Sequence, residues 1–440
     1  MHAYPRLLSL LMSALKRSLW LAVCLCLLWP AAPASADTRL IVRVQGGLPV
    51  IQSVCRLLGC AVQYNLGDPQ GQLFLVTTPL NLPLNIFLSL GVLDVEVDQS
   101  GNTMDAGGPP ALYDSNPVNY YGVTVREGYV NQPAAQIINL AKAQNTFHVS
   151  GAGTVAVIDT GVDPTHPALQ GVLISGYDFT RNQAGVPDEK ADVTQSTTAV
   201  VDQSTTAVVD QSTTAVIDQY TANTLNQPKY EAFGHGTMVS GVVHLVAPRT
   251  MIMPLKAFHA DGTGYLSDVL RAIYFAVGHG ANILNMSFSF SSSSNELKSA
   301  ITDAYQNGVI SVAAAGNNGQ RTTVYPAAYS GMVMGVASTT NNDTQSTFTN
   351  YGSGLVWVAA PGEGVVTLYP YGTYAATWGT SFSTPFVAGT AALLLNVGNA
   401  NEWQAAGAIA HAKYINSNLG FGRLDVYQAV QAWRLALGLF

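Results

Sequence analysis

Five short, almost uninterrupted apolar runs constrain the fold of this chain most strongly: Thr154 to Ile158, Met251 to Lys256, Ala281 to Ser287, Val309 to Ala314 and Val333 to Ala337. A strand that is apolar on both sides must be covered on both faces, the condition met in a parallel sheet sandwiched by helices. Helix-like segments fall between the runs, at Met238 to Val246, Ser267 to Val277 and Asn295 to Asn307. Another precedes them at Ala134 to Ala143, and two more follow Thr384 and Trp403. The alternation predicts an α/β fold with a doubly wound, mostly parallel sheet, helices on both faces, and functional groups at the carboxyl ends of the strands. With 440 residues, 48% of them apolar, the chain can build that body and a small domain besides.

The small domain is expected over residues 37–105. There a β-like run (Leu40 to Val44) precedes a helix-like run (Leu48 to Leu58), two further β-like runs (Leu73 to Thr77 and Leu93 to Val97) and a helix near Leu82 to Leu90. This pattern predicts an α+β sandwich with an antiparallel sheet. Ahead of it, Arg6, Lys16 and Arg17 precede the apolar run Leu19 to Leu28 and the small residues Ala34-Ser-Ala36, which reads as a signal peptide over 1–36. The run is too short for a permanent membrane span, so export to a periplasm or the medium is expected. Gly107-Gly-Pro-Pro110 marks 106–130 as a linker and maturation region, leaving 131–440 as the main body. Cys24 and Cys26 belong to the leader, and Cys55 and Cys60 to the small domain, so the body cannot depend on disulfides. Only 10% of residues are charged and the net charge is -7, which argues against nucleic-acid partners.

Three polar residues stand among glycines and small residues near such apolar runs: Asp159 in Val155-Ala-Val-Ile-Asp159-Thr-Gly161, His235 in Gly234-His235-Gly236-Thr237, and Ser381 in Gly379-Thr-Ser381-Phe-Ser-Thr-Pro385. They offer an acid, a base and a nucleophile. A serine hydroxyl attacks a carbonyl well only when a histidine takes its proton, and a buried carboxylate fixes that histidine's tautomer. Pro385 is expected in the first turn of a helix, placing Ser381 at the helix N-terminus, where free amides favour developing negative charge. A second Asp-Thr-Gly, which an aspartic dyad would need, is absent, and the other histidines have no metal-ligand spacing.

These segments, with Ala313-Ala-Ala-Gly316-Asn317-Asn318-Gly319, resemble the subtilisin-like serine proteases from about Gly151 to about Val430. The resemblance implies a triad of Asp159, His235 and Ser381, with Asn317 as side-chain oxyanion donor and no cofactor in the chemistry. Substrate-binding edges are implied at Gly262, Thr263 and Gly264 and at Ser287, Phe288 and Ser289, between which an extended polypeptide inserts as an added strand. Residues 37–105 then correspond to a propeptide that assists folding and inhibits in cis; a permanently attached accessory domain is the alternative.

The chain departs from the family pattern at several points. Ser289 stands where glycine is common, and no acidic residue occurs in Gly262–Gly264 or Ser287–Ser289, which favours apolar or aromatic side chains before the scissile bond. Phe382 replaces a frequent methionine, and Phe386 a frequent histidine. His166-Pro-Ala168-Leu169 lacks an aspartate that binds calcium in many relatives, so structural calcium is left without an assigned site. Gly420-Phe-Gly422-Arg-Leu424-Asp425 resembles the family's closing segment, from which no missing downstream domain is expected. Between Asp159 and His235 an octapeptide repeats three times, at Val193, Val201 and Val209, and is read as a surface insertion over 193–218, with β-like and mobile as the alternatives. Two other functions fit less well: a serine-carboxyl peptidase of the sedolisin type, which needs neither His235 nor Asn317, and a non-catalytic pseudoprotease or binding module.

Overall fold

The computed structural model describes residues 38–78, 82–98, 100–101, 109–194, 207–208, 213–217 and 228–440. The leader expected over 1–36 lies outside the described residues, as do most of the repeat, 102–105 at the end of the expected small domain and 106–108 of the maturation region.

The small domain runs β1 (Thr38–Val44), α1 (Leu48–Leu58), β2 (Ala61–Asn65), β3 (Leu73–Thr78), α2 (Asn85–Ser89) and β4 (Val92–Val97). Its antiparallel sheet has the order β2-β3-β1-β4. Helix α1 buries Ile51, Val54 and Cys55 on Leu40, Val42, Phe74 and Val76, and Cys55 is disulfide-bonded to Cys60. Strand β2 was not anticipated from sequence; its residues are half or fully exposed, so no apolar run marks it.

The large body is built on an eight-stranded sheet. Its strands are β5 (Thr154–Asp159), β6 (Gly176–Asp178), β7 (Gln183–Gly185), β8 (Met251–Lys256), β9 (Ile283–Met286), β10 (Ile310–Ala314), β11 (Met334–Thr339) and β12 (Val358–Pro361), in the order β7-β6-β8-β5-β9-β10-β11-β12. Every pairing is parallel except β6 with β7. Alternate residues supply two cores. Val155 and Val157 of β5 face helices α3 (His235–Val246) and α6 (Thr380–Val397), whereas Ala156 and Ile158 face α4 (Leu266–Gly278) and α5 (Asn295–Gln306). Each fully buried Val, Ile or Leu contributes about 1.5–3 kcal/mol, so both faces of these strands favour the sandwich. Helix α6 has the length and apolarity of a membrane span, but it is buried in the first core. Helices α7 (Glu402–Ile409) and α8 (Val426–Ala436) close the body.

Two expectations need correction. The stretch read as a linker is folded from Pro110 onward: a short 3-10 turn (Pro110–Tyr113), a hairpin (Pro117–Tyr120 with Val123–Arg126) and a helical turn (Glu127–Val130) bury Leu112, Tyr120, Val125 and Tyr129 in the body's core. The single helix expected at Ala134 to Ala143 is two, Pro133–Ile137 and Leu140–Phe147, because Asn139 adopts a left-handed conformation (φ 58°) between them. Of the repeat, Ala207–Val208 and Thr213–Ile217 pair antiparallel with each other, and Thr213–Ala215 extends the hairpin of β13 (Glu363–Tyr369) and β14 (Thr373–Trp378). Part of the repeat is thus joined to the strand that leads into Gly379 and Ser381.

Candidate active site

Each predicted polar residue lies at the end of a regular element. Asp159 is the last residue of β5, His235 the first of α3, and Ser381 the second of α6, and all three are buried. The approach of β5 to α3 requires glycine: a Cβ on Gly236 would lie 1.9 Å from the Gly161 carbonyl oxygen. Gly234, at φ 88°, turns the chain into the helix, and a Cβ there would meet the Tyr369 ring at 2.5 Å.

Asp159 Oδ1 lies 2.7 Å from His235 Nδ1 and also accepts the backbone N–H of Thr160 at 2.7 Å. An ionised carboxylate only accepts, so Nδ1 carries the proton and Nε2 is the free base of the neutral ring. The Phe382 ring packs 5.2 Å from the imidazole, holding Ser381 on the helix turn beside His235. The Ser381 hydroxyl is not on His235, however; it donates to the Ser287 carbonyl oxygen at 3.0 Å, and Nε2 makes no hydrogen bond to a described residue. The structure therefore joins Asp159 to His235 directly and turns the nucleophile toward the substrate edge.

Pro385 departs from expectation. Helix α6 begins at Thr380, which puts the proline in the second turn rather than the first. Its missing N–H leaves the Ser381 carbonyl without a helical donor, and Ser287 Oγ fills that place at 2.7 Å. Asn285 Nδ2 in turn donates to Ser287 Oγ at 3.0 Å. Ser287 and Ser381 are thus bonded reciprocally, which sequence reasoning missed.

Asn317 sits in the turn after β10. Its Oδ1 accepts both the backbone N–H and the hydroxyl of Thr380 at 2.9 Å each. The backbone donor fixes the amide orientation, leaving Nδ2 as the donating end. The Ser381 N–H lies in the first turn of α6, among the amides that no intrahelical carbonyl satisfies.

The two expected substrate edges differ in character. Gly264 is the buried residue of a two-residue strand, Gly264–Tyr265, whose Tyr265 is exposed; the strand pairs antiparallel with Ser100–Gly101, the chain leaving the small domain. Gly262 and Thr263 form a turn, with Thr263 held by the Asp261 carboxylate at 2.9 Å from N and 2.6 Å from Oγ1. Ser287 and Phe288 are buried, Phe288 packing on Phe258 at 4.9 Å, whereas Ser289 is half-buried. A cavity of about 390 Å³ opens beside Asp261, lined by Arg181, Asp192, Lys229, Tyr230 and His259.

The electrostatic frame behind the site contains two groups that sequence reasoning passed over. Lys256 is fully buried, its ammonium 2.7 Å from the carbonyl oxygens of Thr160 and Phe258 and 2.8 Å from Asp192. Glu189, equally buried, accepts from Thr160 and Thr237. No short motif marks either residue. At His166–Leu169, Ala168 offers a methyl group and no ligand, and His166 Nε2 lies 3.1 Å from the Thr373 carbonyl oxygen. Among the described residues no three acidic, histidine or cysteine side chains are gathered to hold a metal.

The subtilase family profile matches residues 151–424. The thermophilic serine proteinase of Bacillus sp. (strain AK1) is 35% identical over 295 residues, 64% of this chain and 62% of that protein. Thermitase of Thermoactinomyces vulgaris is 32% identical over 68% of this chain and 96% of its own length. Fervidolysin from Fervidobacterium pennivorans, described as a keratinolytic enzyme related to subtilisin, superposes with a TM-score of 0.68 at 22% identity, over 91% of this chain and 62% of its own. The chain belongs to the subtilase family of serine endopeptidases.

Proposed function

We propose that the chain is an exported serine endopeptidase, made as a zymogen and matured by its own active site. The carrying observation is the 2.7 Å contact between His235 and the buried Asp159, with Ser381 on the adjoining helix N-terminus. Asp159 keeps the imidazole proton on Nδ1 and stabilises the imidazolium that forms. Ser381 turns about its Cα–Cβ bond from Ser287 to His235 Nε2, loses its proton there and attacks the peptide carbonyl. Asn317 Nδ2 and the Ser381 N–H stabilise the tetrahedral oxyanion. A side-chain donor of this kind is worth about 10²- to 10³-fold in kcat, a magnitude established for subtilisin. His235 then protonates the leaving amine, and water hydrolyses the acyl-enzyme. No cofactor enters these steps.

The substrate is an extended polypeptide that pairs on Gly264 and on the Ser287–Ser289 edge. Support for self-processing comes from Ser100–Gly101, which already pairs with Gly264–Tyr265 as a substrate strand would. Residues 37–105 act in this reading as an intramolecular chaperone and inhibitor. Export rests on the basic, apolar and small-residue order of the first 36 residues.

Expression of the wild type and Ser381→Ala, followed by N-terminal sequencing and cleavage of a peptide library, tests the proposal. The expected result is a shortened, active wild type and a full-length, inactive variant. Processing that persists in purified Ser381→Ala would overturn self-maturation, and a wild type that cleaves no peptide would overturn the protease reading.

A further inference from the structure

Behind Asp159 and His235 lies a carboxyl group that no step above uses. Glu189 is 1% exposed. Its Oε2 accepts the Thr160 hydroxyl at 3.0 Å, and its Oε1 accepts the Thr237 hydroxyl. Thr160 follows Asp159 directly, and Thr237 lies two residues beyond His235. Each hydroxyl oxygen is already engaged by a backbone donor: Thr160 Oγ1 accepts from Gly236 N at 2.9 Å and Thr237 Oγ1 from Asp163 N at 2.7 Å. Both hydroxyl protons are thereby directed at Glu189, which acts as an acceptor at both oxygens. The threonine pair, the carboxyl group and the two backbone amides form a closed tie between the end of β5 and the first turn of α3.

We propose that Glu189 is a positioning residue of the hydrolytic centre, binding the strand end that carries Asp159 to the helix start that carries His235 and holding that pair at its 2.7 Å contact. The inference rests on the roles proposed above for Asp159 and His235. An unanchored buried carboxyl group is destabilising, and among the described residues this one takes its side-chain hydrogen bonds from Thr160, next to the acid, and Thr237, two residues past the base. The groups facing it are Lys256 from β8, which favours its ionisation, and Asp159 from β5, which opposes it. Tyr369 and Tyr371 approach from the end of β13, His235 lies on α3, and Asp163 is paired with Lys190 on the neighbouring turn. Burial pushes the Glu189 carboxyl up to about 8. Protonated, it must place a hydrogen against one of the threonine oxygens and the tie loosens; ionised, it accepts from both. The rate therefore rises as pH passes through that value.

The test compares mature wild type, Glu189→Gln and Thr160→Val for kcat and KM on one peptide from about pH 6 to about pH 10, each normalised to the sites labelled by a fluorophosphonate. At the alkaline end both variants should lose about tenfold in kcat with KM held within about twofold, since small misplacements of a catalytic group act on kcat. Beyond the rise that a histidine base gives in every active form, a further rise through about 8 should be present in wild type and absent in Glu189→Gln. A kcat per labelled site within about twofold of wild type, or a further rise through about 8 that persists in Glu189→Gln, would overturn the role. If Glu189→Gln does not fold, Thr160→Val decides by the same kcat criterion. A wild type that neither cleaves the peptide nor takes the label refutes the protease reading itself, and this inference with it.

Discussion

At the residue scale, Pro385 links the nucleophile to the substrate edge. By withholding a helical N–H it frees the Ser381 carbonyl for Ser287 Oγ, and the Ser381 hydroxyl returns a bond to the Ser287 carbonyl. Ser287→Ala leaves a buried carbonyl unpaired, a loss of about 1–3 kcal/mol. Denaturant unfolding should register that loss together with a lower kcat, and an unchanged midpoint would contradict the pairing. Phe382 predicts a second outcome: mild peroxide should not inactivate through sulfoxide formation beside the nucleophile. Rapid inactivation traced by mass spectrometry to the neighbours of Ser381 would count against it. The polar letters of the site were legible because glycines and small residues frame each of them. The Ser287–Ser381 exchange and the Glu189 tie were not, since each joins residues 29 to 94 positions apart through hydrogen bonds that no local spacing encodes.

At the scale of elements, the site depends on backbone contact between the end of β5 and the start of α3. Gly236→Ala would place a methyl group 1.9 Å from the Gly161 carbonyl oxygen. The elements must then separate at the position that carries His235, so several kcal/mol of stability and nearly all activity should be lost. Thermal unfolding and peptide hydrolysis would check this, and near-wild-type values for both would refute the contact. The core strands were readable because both faces of each are apolar, as at β5 and β10. Strand β2 escaped because it is exposed, and the break at Asn139 escaped because a left-handed residue inside an apolar period leaves the period nearly intact. The segment Pro110–Val130 was misread from its prolines and glycines, although Tyr120 and Tyr129 are core residues.

At the scale of the whole molecule, the small domain docks through an apolar face, with Ile41, Leu66, Leu73 and Leu75 in one core with α4 and α5, and through polar and charged contacts around it. Arg43 pairs with Glu296, Ser294 donates to Glu96, and Asp98 accepts Ser267 N at 2.7 Å and Ser267 Oγ at 2.6 Å at the start of α4. Burial raises Glu96 to about 7, Asp268 to about 6, and Asp98 above its ordinary value. The docked form therefore binds protons more tightly than the separated parts. As pH rises through about 6 to about 7 these two buried carboxyl groups ionise and docking weakens. Release of the cleaved small domain, followed by size-exclusion chromatography, should be slower at acidic than at alkaline pH; the reverse order would contradict this account of the interface. The central claim is that Asp159, His235 and Ser381 act as one unit. Labelling of the mature protein with a fluorophosphonate, followed by peptide mapping, tests it most directly. The account predicts a single adduct on Ser381, absent in Ser381→Ala and strongly slowed in His235→Ala and Asp159→Asn. Labelling that is indifferent to His235 and Asp159, or an adduct elsewhere that survives Ser381→Ala, would contradict it.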